Sequence, residues 1–267
     1  MVKPRVLIMA GYGLNCESET KFAFETAGAK ADIIHINDLI AGLAKLKNYQ
    51  IMAFPGGFSY GDDTGSGNAY ANRLRNHLWL KLTSFVKNDK LVIGICNGFQ
   101  ILVNLGLLPA LNKRYGKREV ALVHNDSARY TVRWVDLKVI NQSPWLMNMT
   151  TLSLPIAHGE GRFYADNQVM QKLNEKKLIA LKYVKGEIYK AQQLPSNPNG
   201  ALQDIAGITD ESGRIFGLMP HPERAIFFTH LPHWTLLKET YLREGKNLPT
   251  NGPGLPIFQN AVNYFQK

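Results

Sequence analysis

Apolar and polar positions along the first hundred residues switch repeatedly between two periods. Arg5–Ala10, Ala31–Ile36 and Gln50–Phe54 are short apolar runs of the kind that form buried strands. Between them, Glu17–Ala27 and Asp38–Lys47 carry helical spacing, the first closed by Gly28, and Tyr70–Lys87 holds one or two further helices. Strands alternating with helices predict a parallel sheet covered by helices on both faces. Such sheets bind ligands at the carboxyl ends of their strands, and three of those ends carry polar or glycine-rich turns: Gly11–Cys16, Gly56–Gly67 and Cys96–Gln100.

The texture changes after Gly106. Glu119–His124, Tyr130–Ile140, Leu152–Ala157, Leu178–Val184 and Gly207–Thr209 are short strand-like runs separated by turn signals, with Trp145 and Val169–Leu173 in short helical pieces. Arg214–Met219 reads as one more strand, and Pro256–Gln266 as a closing amphipathic helix with proline near its first turn. The expected fold class is α/β: a doubly wound, mainly parallel sheet with helices on both faces, plus a smaller antiparallel section packed on it from the second half. No long linker rich in Pro, Gly or Ser interrupts residues 1–267, so they are expected to form a single domain.

Composition narrows the class without naming a chemistry. Hydrophobic content of 45% and charged content of 19% are globular values. No apolar run approaches the length of a membrane span, and the N-terminal run leads into Gly and Asn without a cleavage pattern. A cytoplasmic protein is expected. The net charge of +10 raises nucleic acid as a partner, but the basic residues are scattered rather than interleaved with aromatics, so neither a nucleic-acid nor a membrane partner is expected. Lys113–Arg118 is the one run that suggests a docking patch. Two cysteines, Cys16 and Cys96, exclude a disulfide framework and leave room for a nucleophile.

Cys96 is the stronger candidate, because the period changes there from strand to helix. Gly94 and Gly98 flank it two positions either side, removing Cβ atoms where the backbone turns sharply. This is the glycine-x-nucleophile-x-glycine elbow with cysteine in the central position. The helix N-terminus favours a thiolate, and the Asn97 N–H faces a developing oxyanion. A buried structural cysteine is the plain alternative. His221, between Pro220 and Pro222 at the end of a strand, supplies a base, and Glu223 an orienting carboxylate. Gly56-Gly57, at another strand end, offers bare backbone for a second oxyanion donor. His158–Phe163 (HGEGRF) and Asn197–Gly200 (NPNG) have no role decided by physics alone. No cluster with metal-ligand spacing is expected.

GICNGFQ at Gly94–Gln100, PGGFSYGD at Pro55–Asp62, HGEGRF, NPNG and MPHPERA at Met219–Ala225 occur together in this chain. With them the sequence resembles the glutaminase subunits of phosphoribosylformylglycinamidine synthase, within the class I, or triad, glutamine amidotransferases. The resemblance implies that Cys96 attacks the glutamine side-chain amide, His221 passes the thiol proton to departing ammonia, and Glu223 orients His221. It further implies an oxyanion held by Gly57 and Asn97, and substrate contacts at Gly56 and at Gln100, the latter toward the glutamine α-amino and carboxylate groups. Ammonia would pass to a larger ATP-dependent synthase subunit, in a complex with room for a further small subunit. That partner would convert formylglycinamide ribonucleotide to formylglycinamidine ribonucleotide in purine biosynthesis. No cofactor is implied in this chain; ATP and magnesium belong to the partner. Asp63–Ala69 departs from the family's usual continuation, so no role is carried to residues 63–72, and His124–Tyr130 resembles a segment near the subunit contact. Two other readings are open from the residues: a stand-alone cysteine hydrolase of the γ-glutamyl peptidase type, and a basic scaffold with an inert Cys96.

Overall fold

The computed structural model describes residues 3–266. The first half follows the predicted alternation: β1 (Arg5–Ala10), α1 (Glu17–Thr26), β2 (Lys30–His35), α2 (Ile36–Ile40), β3 (Ile51–Phe54), α3 (Asn68–Lys87), β4 (Leu91–Ile95) and α4 (Asn97–Leu105). The second half contributes β5 (Ala121–Val123), β6 (Thr131–Val139), β7 (Thr151–His158), β8 (Arg162–Tyr164), α5 (Asn167–Glu175), β9 (Ile179–Val184) and α6 (Glu187–Gln192). It ends with β10 (Ile205–Thr209), β11 (Ile215–Leu218), α7 (Trp234–Arg243) and α8 (Leu255–Tyr264).

One nine-stranded sheet runs β2-β1-β3-β4-β11-β10-β9-β6-β7. From β2 to β11 neighbouring strands are parallel, and from β11 to β7 they are antiparallel. The antiparallel section therefore extends the same sheet edge to edge, instead of packing upon it as expected. The reason is β11, which comes from late in the chain yet pairs with β4 and so gives the later strands an open edge to continue. β5 and β8 form a separate two-stranded ribbon.

The chain moves outward from β1 to β2 and in the opposite direction from β3 to β4, so right-handed crossovers put α1 and α3 on opposite faces. Phe24 of α1 meets Phe258 of α8 edge-on, with ring centroids 4.9 Å apart. This reversal between β1 and β3 is the place where open α/β sheets bind ligands. The three turns singled out in the sequence meet there: Leu14 bridges Gly57, and the Asn15 and Cys16 N–H groups donate to the Gly56 carbonyl at 3.1 and 3.2 Å.

Several boundaries differ from the expected ones. The helix expected over Asp38–Lys47 stops at Ile40, because Gly42 adopts φ +79° and turns the chain out of the helix. Trp145 lies in a turn, its indole N–H donating to the Arg214 carbonyl at 3.0 Å. α6 and α7 were not anticipated. α6 is placed by the buried Asp136 carboxylate, which accepts the Ile188 and Tyr189 N–H groups at 3.2 and 2.8 Å. α7 buries none of its residues, and its Tyr241 ring meets Phe228 edge-on with centroids 6.0 Å apart. Arg114 and Lys117 of the basic run approach Glu119 at 3.8 and 3.4 Å, so part of its charge is neutralised within the chain. Among the described residues, no helix is long and apolar enough to cross a membrane.

Candidate active site

β4 is buried along its whole length and delivers Cys96 at its end. Cys96 takes φ 51° and ψ −108°, a conformation foreign to ordinary side-chain-bearing residues, and α4 starts at the next residue. A Cβ on Gly98 would overlap the Phe54 carbonyl oxygen, and one on Gly94 would stand 2.6 Å from the Gly98 oxygen. The two glycines thus let α4 begin directly against the ends of β3 and β4. The Cys96 N–H donates to the Leu218 carbonyl at 2.8 Å, and Sγ lies 3.7 Å from the Ala157 carbonyl oxygen.

The base arrives through strand register. β11 pairs with β4 so that Leu218 stands beside Ile95, and the residues after each strand emerge at the same end of the sheet. The His221 N–H donates to the Pro155 carbonyl at 2.8 Å, fixing the backbone between its two prolines. His221 Nδ1 lies 2.5 Å from Glu223 Oε1, and both side chains are buried. Among the described residues, none stands at hydrogen-bonding distance and angle from Nε2. Burial disfavours a charged ring, but the Glu223 carboxylate and the sulfurs of Cys96 and Cys16 outweigh it and hold the His221 pKa well above its ordinary value.

Gly57 and Asn97 bring two unspent N–H groups to the same place. Gly57 has φ +153°, and a Cβ there would press on Gly13 and Asn15. Its N–H points away from the bridge to Leu14 and makes no hydrogen bond among the described residues. Asn97 is the first residue of α4, where the N–H has no carbonyl one turn behind it. Gly56 is required for a different reason: a Cβ would stand 2.6 Å from His221 Cε1.

The Asn97 and Gln100 side chains form a buried brace. Asn97 Oδ1 accepts the Ser59 N–H at 3.2 Å, and its Nδ2 donates to Asp62 Oδ1 at 3.2 Å and to Gln100 Oε1 at 2.9 Å. Gln100 Nε2 in turn donates to the Glu160 carbonyl at 2.5 Å, tying α4 to the HGEGRF loop. That loop, undecided from the sequence, is buttressed from below. Asn125 Oδ1 accepts from the Gly161 N–H and from His158 Nδ1, each at 3.1 Å, while Asn199 of NPNG donates to the Gly161 carbonyl at 2.8 Å. Burial, reinforced by the charge on His221, pushes the His158 pKa down to about 3, so this ring is neutral.

Arg224, Tyr130 and Phe58 also stand at the site, with no role there assigned from the sequence. Arg224 Nη2 donates to Cys16 Sγ at 2.9 Å, placing the second cysteine beside the base. The glycine-rich turn ending at Cys16 was the available signal. Tyr130 pairs with Phe58, ring centroids 5.8 Å apart, and both are substantially exposed beside the triad. A larger cavity, about 640 Å³, lies elsewhere, near the amino-terminal ends of β3 and β4 among Leu39, Leu46, Leu78 and Phe85. No cysteine, histidine or carboxylate lines it, so cavity size does not mark the chemistry here.

The whole chain also aligns with known proteins. Residues 3–265 match the CobB/CobQ-like glutamine amidotransferase domain family. The phosphoribosylformylglycinamidine synthase subunit PurQ of Methanococcus maripaludis is 52% identical over 270 residues, covering 100% of this chain and 99% of that protein. The chain belongs to the PurQ family. The PurQ subunit of Dehalococcoides mccartyi is 42% identical over 99% of this chain and 98% of its own length. A solved structure, described as the structure of PurLQS from Thermotoga maritima, contains a chain that superposes with a TM-score of 0.72 at 30% identity, covering 99% of this chain and 100% of that one. A PurQ fold therefore surrounds the Cys96, His221 and Glu223 constellation.

Proposed function

We propose that this chain is the glutaminase subunit of phosphoribosylformylglycinamidine synthase, working with the larger synthase subunit through a Cys96-His221-Glu223 triad. The buried His221–Glu223 pair beside a thiol on a strained elbow carries the reading. Cys96 gives its thiol proton to His221, and Sγ attacks the side-chain amide carbon of glutamine. The Gly57 and Asn97 N–H groups receive the oxyanion, where each such donor contributes about two to three orders of magnitude in rate. His221 then protonates the departing nitrogen, leaving a thioester and free ammonia. Water attacks the thioester with His221 as base, releasing glutamate and restoring the thiol. The rest of the glutamine molecule lies toward Gln100, while Gly56 leaves room for the His221 ring, whose Cε1 would stand 2.6 Å from a Cβ there. The ammonia passes to the synthase subunit, which handles ATP and magnesium and forms the amidine of the ribonucleotide. A subunit acting on phosphorylated purine precursors belongs in the cytoplasm, where those intermediates are retained.

The test uses the assembled synthase with Cys96→Ala. Glutamine-dependent product formation is expected to fall by about four orders of magnitude or more, while ammonia-dependent formation persists. Equal loss of both activities would mean that Cys96 serves the architecture and not the chemistry. Brisk cleavage of γ-glutamyl peptides by the chain alone, with glutamine untouched, would point instead to a stand-alone hydrolase.

A further inference from the structure

Cys16 is a buried nucleophilic group that the reaction above leaves unused. It lies at the start of α1, 1% exposed, held by Arg224 Nη2 at 2.9 Å from Sγ. Donor atoms of Cys16, His221 and Glu223 all lie within 4.8 Å of one another. Among the described residues, none hydrogen-bonds to Glu223 Oε2, although its side chain is fully buried. A Cβ on Gly56 would lie 3.3 Å from both His221 Nδ1 and Cys16 Sγ, so both atoms border the same small space beside Gly56. A thiolate, an imidazole nitrogen and a carboxylate make a donor set suited to zinc and to cations of similar softness.

We propose that Cys16, His221 and Glu223 form a reversible inhibitory site for a zinc-class divalent cation. Tetrahedral zinc, with bonds of about 2.0–2.3 Å, sets its ligands roughly 3.3–3.8 Å apart. Nδ1 and Glu223 Oε1, at 2.5 Å, are closer than that because a proton joins them. The cation enters by replacing this proton, with Glu223 turning Oε2 inward and the Cys16 thiol losing its own proton to become a ligand. With Nδ1 coordinated, the remaining proton of the neutral ring resides on Nε2, which can no longer accept one from Cys96. Inhibition rests on the triad reading; binding of the cation does not.

Arg224 is the competitor built into this arrangement. Its guanidinium holds the Cys16 sulfur and its Nε lies 3.9 Å from Glu223 Oε1, while 40% of the side chain is exposed to solvent. A cation beside a cation site weakens binding, so removing the Arg224 charge should tighten it.

The experiment uses the full chain and cobalt(II) as the spectroscopic probe. In Cys96→Ala, Cys16 is the only thiol left, and a thiolate-to-cobalt charge-transfer band saturating at one cobalt per chain is expected. The Cys16→Ser, Cys96→Ala double variant should lack it. In competition with a chromophoric chelator, Arg224→Gln should bind zinc about tenfold more tightly or better. A missing band in Cys96→Ala, or unchanged or weaker zinc binding in Arg224→Gln, would overturn the site. In the assembled synthase, zinc should suppress glutamine-dependent but not ammonia-dependent turnover, and Cys16→Ser should resist it by about tenfold. Zinc bound without that suppression overturns the inhibitory role. Failure of the triad reading shows separately, as activity persisting in Cys96→Ala in zinc-free buffer.

Discussion

Burial alone would keep the His221 ring neutral; the Glu223 carboxylate 2.5 Å from Nδ1 and the Cys96 sulfur reverse that balance. Protonated His221 is the form that donates to departing ammonia, so the glutaminase rate should hold through neutral pH and fall on the alkaline side. Glu223→Gln keeps an acceptor but removes the charge. Its alkaline limb should move to lower pH, with glutamine-dependent kcat/KM reduced about a hundredfold or more, as a pH–rate profile would show. In stability the two buried histidines act with opposite signs. The raised pKa of His221 contributes stability that is complete below the unfolded value and lost as pH rises through the folded one. His158, at about 3 when folded and about 6.5 when unfolded, binds its proton only in the unfolded chain between those values. It should therefore cost about 1.4 kcal/mol per pH unit as pH drops through that window. In His158→Asn the fall in denaturant midpoint between neutral and mildly acidic pH should be correspondingly shallower than in the wild type. An unchanged slope would show that His158 is charged in the folded chain.

The elbow shows how an element stores a functional cost. β4 and α4 are both favourable by pattern, yet their junction forces Cys96 to φ 51° and ψ −108°. Such a residue carries on the order of 1–3 kcal/mol of backbone strain. Glycine would relieve that strain, and the small buried thiol offers little packing to lose. Cys96→Gly is thus expected to raise unfolding stability by about 1 kcal/mol while abolishing glutamine-dependent activity. Chemical denaturation of the two chains checks it; a less stable glycine variant would mean that the thiol's packing outweighs the strain. The neighbouring glycines cannot be traded in the same way, because a Cβ at either would run into backbone.

Across the whole molecule, the site depends on segments that meet from both ends of the chain. α8 sits against the turn that carries His221: the Gly254 N–H donates to the Ala225 carbonyl at 2.8 Å, and Phe258 packs on Phe24 of α1. Phe258→Ala should destabilise the chain by about 3–5 kcal/mol, lowering its melting midpoint. Much of this was legible locally. The strand-to-helix switch at Cys96, the glycines around it, the proline-bounded His221 with Glu223, and the carboxyl-end turns are properties of neighbouring residues, and short-range periodicity and backbone sterics report them. Over Asp38–Lys47, Gly42 ends a helix that apolar spacing alone would continue. What residues 96 and 221 do together is a different matter, since no local pattern says which strand β11 joins. Its register beside β4 brings the thiol to the base, turns the later strands into an extension of one sheet, and sets Arg224 on Cys16. Local patterns of residues dictate the elements and the kinds of chemistry available at their ends. Which ends meet is settled in three dimensions, because long-range pairing is selected by the summed burial and hydrogen bonding of the whole sheet.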